Sequence, residues 1–171
     1  MFQRTTLREF QQNLSRRLAA AATSREESAS ILAISSGGET WLVELADAGE
    51  VLPVPALTAA PLSKPWYAGL ANVRGSLYSV IDFGAFRGAE AARIGPASRL
   101  VLCGQRHGLN AGLLVDRVLG LRDTRELKAL ETSTVGPLWQ KSIKQDVEGR
   151  TCWELDAEAL MRSADFMNVA L

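Results

Sequence analysis

The chain has no surplus of charge of either sign: 19 lysines and arginines are matched by 19 aspartates and glutamates. Without a basic excess nothing holds a phosphate backbone, so nucleic acid is not an expected partner. Cysteine is scarce. Cys103 and Cys152 lie in the apolar stretches LVLC and TCWEL without metal-type spacing, and read as buried thiols of a reducing compartment. No apolar run approaches the roughly 18 residues of a membrane span. The opening MFQRTTLREFQQ also lacks the apolar core of a signal peptide, so a cytoplasmic chain without direct membrane insertion is expected. The one histidine, His107, sits in the polar turn GQRHGLN and reads as a solvated residue. With Cys103 it falls short of the tetrahedral set a structural zinc needs. The phosphate-binding, dinucleotide and nucleophile-elbow motifs are absent too. No catalytic, cofactor-binding or metal-binding residue is therefore assigned, and the expectation is a protein that is not an enzyme.

What is present is an ordinary globular composition, 47% hydrophobic and 22% charged over 171 residues. That length suits one domain or two small ones packed together, since domains run roughly 100 to 200 residues. Residues 1–28 differ from the rest. Leu7, Phe10, Leu14 and Leu18 recur at helical spacing behind a Thr6–Glu9 capping box, with Arg8, Arg16 and Arg17 on the polar side. This predicts an N-terminal amphipathic helix followed by a polar linker, the helix packing on its own domain or docking on a partner. From residue 29 the period shortens to β-type runs. Strands are expected at Ser30–Ser35, Glu39–Glu44, Leu77–Ile81, Arg99–Cys103, Asn110–Val115 and Arg150–Leu155. Gly37-Gly38 predicts a hairpin turn, and Arg106 to Gly108 a second. Pro53, Pro55, Pro61 and Pro65 confine their stretch to an edge or a loop. Arg87 to Ser98, rich in alanine and glycine, divides the β region.

The two β parts resemble each other. GSLYSVID at Gly75–Asp82 matches GRTCWELD at Gly149–Asp156: a turn glycine, a strand, and an aspartate placed to cap a short helix. Each is preceded by a hairpin. The expected fold is thus mostly β, two small related five-stranded barrels of the SH3-like kind with short helices, since closure removes the edges that short sheets expose. The sequential division places one subdomain at about 29–90, a second at about 98–150, and a final strand and helix at 150–171.

A binding segment is sought next. Pro65-Trp66-Tyr67-Ala68-Gly69-Leu70-Ala71-Asn72-Val73-Arg74-Gly75 puts aromatics and an arginine around a tight turn that opens a strand, where hot-spot residues concentrate. The bland alternative has Trp66 as a core plug and Arg74 holding a carbonyl or carboxylate across the barrel. Asp82 and Asp156 read as helix caps rather than acids. Asp116, in LVDRV, reads as a turn residue, a partner of Arg117, or a contact.

PWYAGLANVRGSLYSVIDF, AGLLVDRVLGL and GRTCWELDAEALM together resemble the hallmarks of the CheW-like chemotaxis coupling family, in the family's order, over residues 29–171. The N-terminal helix and the wording GLANVRG make the chain most similar to that family's twitching-motility adaptors of the type IV pilus. The resemblance implies two interlocked β modules. It also implies a non-catalytic adaptor coupling the cytoplasmic tips of methyl-accepting chemoreceptors to a CheA-like histidine kinase, held at the inner membrane through receptor arrays. The implied protein-binding residues are Arg74 with Asn72 and Val73, Glu50, and Asp116 with Val118. Two departures stand out: Ala48 replaces a larger apolar residue near Glu50, and Ile143-Lys144-Gln145-Asp146-Val147 lacks the family's glycine. The rival expectation is a small β-barrel that binds a ligand or oligonucleotide.

Overall fold

The computed structural model describes residues 30–130 and 136–171. The expected N-terminal helix and linker lie outside the described residues. Among the described residues, twelve strands and three short α-helices follow one another as β1 (Ser30–Ser36), β2 (Glu39–Glu44), β3 (Ala48–Pro53), β4 (Leu57–Thr58), β5 (Tyr67–Val73), β6 (Ser76–Asp82), α1 (Phe83–Phe86), β7 (Arg99–Cys103), β8 (Ala111–Val115), β9 (Arg117–Asp123), β10 (Lys128–Ala129), β11 (Gln140–Gln145), β12 (Thr151–Leu155), α2 (Ala157–Arg162) and α3 (Ala164–Met167). All six expected strands are present within a residue of their predicted bounds. The Gly37-Gly38 turn joins β1 to β2 with both glycines at positive φ, as the twist of a tight hairpin demands. The proline-rich stretch runs as foreseen: β3 ends on Pro53 at one sheet edge and β4 forms the other.

The strands form two six-stranded sheets, ordered β10-β11-β12-β2-β1-β9 and β3-β7-β8-β6-β5-β4. Each holds five full strands and one two-residue strand at its edge. The sheets are interleaved along the chain, so residues 29–90 contribute β1 and β2 to the first and β3–β6 to the second.

The sequence repeat is real, and it is cross-assembled. β12 runs parallel to β2, and β6 parallel to β8, so each repeat strand joins the hairpin from the other half of the chain. The registers agree: Trp153 faces Trp41 and Leu155 faces Val43, as Ser79 faces Ala111 and Ile81 faces Leu113. Both repeat strands also meet a bulge on the preceding strand, at Tyr67–Gly69 opposite Ile81 and at Gln140–Ser142 opposite Leu155. The aspartates that end them cap helices as expected. Asp82 accepts from Ala85 N–H at 3.1 Å and Asp156 from Ala159 N–H at 2.8 Å.

Because side chains alternate across a strand, the inner strands bury both faces. Ile31, Ala33, Leu42 and Cys152 pack inside the first sheet; Ala71, Val80, Leu100, Leu102 and Leu114 pack inside the second. The opposite faces of the same strands, with Leu32, Ile34, Trp41, Val43, Ile81 and Val101 among them, join the helical residues Phe83, Leu160 and Phe166 in one larger core between the sheets. Three cores stacked this way are what two curled, mutually packed modules require. Cys103 borders the shared core while Cys152 lies inside the first sheet, and both are free thiols.

Candidate functional site

The β5–β6 connection explains the spacing of the Asn-Val-Arg-Gly motif. Val73 pairs with Ser76, which leaves Arg74 and Gly75 as a two-residue turn with φ of 52° and 86°. Glycine suits the left-handed region and arginine tolerates it only with help. Asn72 supplies that help: its Oδ1 accepts from Gly75 N–H at 2.9 Å. Val73 packs toward the core inside the second sheet and anchors the turn. Arg74 is thereby held at the tip, its side chain 78% exposed, and its Nη2 donates to Glu50 Oε1 at 2.7 Å.

Glu50 lies on β3, which the sheet order separates from β5 by β7, β8 and β6. A contact between them requires the sheet to curl until its ends approach. Four of the expected contact residues, Glu50, Asn72, Val73 and Arg74, are thus brought together at one end of the second sheet. The half-exposed Val51 and the exposed Leu77 adjoin them in sequence. Both alternatives for Arg74 prove compatible: it grips a carboxylate across the module and still reaches solvent. Ala48 borders the core between the sheets.

Asp116 and Val118 fall elsewhere. Val118 pairs with Ile34 and packs on the shared core, while Asp116 N–H donates to Ser35 O at 2.9 Å. No hydrogen bond or ion pair links this second group to Arg74 among the described residues. Asp116 instead acts on Arg87. That arginine, just after α1, reaches from the second module to the first. Its guanidinium donates to Glu39 and, at 2.6 Å, to Ser36 O, and lies 4.6 Å from the Trp41 ring and 4.9 Å from the Phe83 ring. Burial lowers its pKa, opposed first by Glu39 and then by Asp116 and Asp82. Gly37 at the β1–β2 turn approaches Gly84 of α1 so closely that a Cβ on Gly37 would stand 3.3 Å from the Gly84 Cα. Sequence reasoning missed this seam. Its only local signal was an arginine directly behind an apolar helical turn.

His107 corrects its expectation. Its side chain is 5% exposed, and Nε2 lies 2.7 Å from Asp47 Oδ1, which Arg106 also engages. The polar turn is a short 3-10 segment, Gln105–His107, folded back onto the β2–β3 connection, where Gly104 N–H donates to Asp47 O at 2.7 Å. Burial, with the charge of Asp47 adding to it, pushes the neighbouring Cys103 thiol up to about 12. Among the described residues no helix is long and apolar enough to cross a membrane.

Residues 30–165 match the family model of the CheW-like domain. The chain belongs to the CheW-like domain family. Among curated proteins it is similar to Protein PilI of Pseudomonas aeruginosa, 36% identical over 110 residues, a match covering 63% of this chain and 61% of that protein. It is also similar to Protein FrzA of Myxococcus xanthus, 38% identical over 73 residues, covering 43% and 45% respectively. The chain therefore spans less than two thirds of either relative. Among solved structures, the crystal structure of the scaffolding protein TtCheW from Thermoanaerobacter tengcongensis superposes with a TM-score of 0.65 at 21% identity, covering 81% of this chain and 95% of that one. That likeness bears on the fold: CheW-like domains share the paired β modules described above.

Proposed function

We propose that this CheW-like chain is a non-catalytic adaptor that couples the cytoplasmic tips of methyl-accepting chemoreceptors to a CheA-like histidine kinase, within the chemosensory system that controls type IV pilus twitching motility. In this role it sits on the cytoplasmic side of the inner membrane, recruited through receptor arrays rather than by inserting. The observation that carries the reading is the exposed Arg74–Glu50 pair, presented by a built turn at the end of the second module. An exposed ion pair of this kind contributes only about 0–1 kcal/mol to folding, so a fold has little reason to shape a turn around it. A partner has reason, because a rigid, oriented guanidinium flanked by apolar side chains gives selectivity. The similarity to PilI supports the twitching system as the setting. Asp116 and Val118, lying near the seam, are proposed as a separate contact.

The test is Arg74→Glu, assayed by co-purification with kinase and with receptor fragments. Partner affinity should fall by about 2 kcal/mol, roughly 30-fold. The melting temperature should move by no more than about 3 °C. Undiminished capture would remove Arg74 from the interface. A collapsed melting transition would assign it to the fold alone.

A further inference from the structure

A cavity of about 600 Å³ opens at the seam between the two sheets. The chain has four tryptophans, and all of them, Trp41, Trp66, Trp139 and Trp153, line it together with Phe86. Trp66 and Trp139 occupy equivalent places in the two repeats: Asp82 N–H donates to Trp66 O at 2.9 Å, and Asp156 N–H to Trp139 O at 2.8 Å. The repeat thus aims one indole from each module into the same space. A volume of this size is that of a small-molecule site, roughly 300–1,000 Å³. Aromatic walls favour a flat ring stacked or edge-on among them.

The charges on the wall choose the sign of the ligand. Arg87 and Lys64 both line the cavity. Arg87 has a side chain 9% exposed, and its buried Nε has no hydrogen-bond partner, which makes it an unused donor. Lys64 has no carboxylate partner among the described residues, and stands 5.8 Å from the Trp66 ring. Of the two acids on the wall, Glu39 is taken up by Arg87 and by Trp41 Nε1 at 3.3 Å, and Asp165 lies exposed in the first turn of α3. Two of the aromatic rings on the wall already carry a protein cation, Trp41 under Arg87 and Trp66 under Lys64, which leaves the rings of Trp139, Trp153 and Phe86 for an aromatic ligand. We propose that this cavity is a binding site for a planar aromatic anion, of the aryl carboxylate or aryl sulfonate class, with its ring among the tryptophans and its anionic group toward Lys64 and Arg87. This site is separate from the Arg74 surface and does not depend on the adaptor reading.

Since the chain carries no tryptophan outside the cavity, its tryptophan fluorescence, excited to the red of the tyrosine band, reports on this one place. Titration of the full chain with naphthalene sulfonate should quench that emission saturably, and calorimetry should give one site per chain. Lys64→Glu should weaken binding roughly tenfold, the size of a lost charge-assisted contact, and Lys64→Arg should restore most of it. A methylquinolinium cation of the same ring size should bind at least about tenfold more weakly. The proposal is overturned if the full chain shows no saturable quenching, if the cation binds as tightly as the anion, or if Lys64→Glu leaves the sulfonate affinity unchanged. It is equally overturned if Lys64→Glu abolishes kinase or receptor capture while no sulfonate binds, because the cavity then belongs to a protein partner.

Discussion

At the scale of single residues, the charged groups buried by this fold are held by partners on other strands and turns. Glu154 shows the energetic side. It lies on β12 with its side chain 8% exposed, accepts from Ser142 Oγ at 2.5 Å, and pairs with Lys144 at 3.0 Å and Lys141 at 3.3 Å. Burial acts to raise its pKa, but the Ser142 hydroxyl and the Lys144 ammonium outweigh it, so the carboxyl is held below its usual range. A carboxyl whose pKa is depressed by folding stabilises the native state above its unfolded pKa. That contribution disappears as pH falls through the lower, folded value. Glu154→Gln should therefore cost about 3 kcal/mol at neutral pH, because the largely buried Lys144 loses its counter-charge while Lys141 keeps Glu44 at 2.7 Å. It should also flatten the acid limb of stability against pH, read from urea midpoints between neutral and strongly acidic buffers. An unchanged acid limb would mean that Glu154 is not among the groups that set it. His107 shows why such sites escape sequence reading. Its partner Asp47 stands 60 residues away, and nothing local in GQRHGLN distinguishes a buried ring from a solvated one.

At the scale of elements, legibility follows burial. The strands read correctly from sequence are three adjacent inner strands of each sheet, β12-β2-β1 in the first and β7-β8-β6 in the second, and each carries a cluster of buried apolar residues. Those left unread, β3, β4, β5, β9, β10 and β11, lie at or next to a sheet edge. They bury one face at most: β11 buries only Ile143, and β9 is interrupted by Gly120 at a φ of 104°. The caps were legible because an aspartate ahead of a helical turn is a local signal, and they also admit a graded prediction. Asp156→Ala removes one cap and should cost about 1 kcal/mol. Asp82→Ala removes the cap on α1 and also the acceptor for Ala92 N–H, held at 2.7 Å by its other oxygen, so it should cost about 1 kcal/mol more. Denaturant midpoints of the two variants decide the order. Equal losses would show that the Ala92 bond contributes nothing net.

At the scale of the whole molecule, the repeat was visible in the sequence, whereas its exchange of strands was not, because pairing partners leave no local mark. The exchange determines how the molecule comes apart. The exposed segment Arg93–Ala97 lies between the repeats, and four ladders cross it: β1 with β9, β2 with β12, β3 with β7, and β6 with β8. The core between the sheets likewise draws side chains from both sides of that segment. Neither half can bury its apolar faces alone, since each holds strands of both sheets. A site-specific protease sequence inserted after Gly95 should thus be cut readily. The nicked protein should elute as one species in native size-exclusion chromatography and melt in one transition, with two bands appearing only on denaturing gels. Independent consecutive barrels would behave otherwise, because each would retain its own ladders and drift apart or melt separately. Separation of the halves without denaturant would therefore count directly against the crossed pairing of β2 with β12 and β6 with β8.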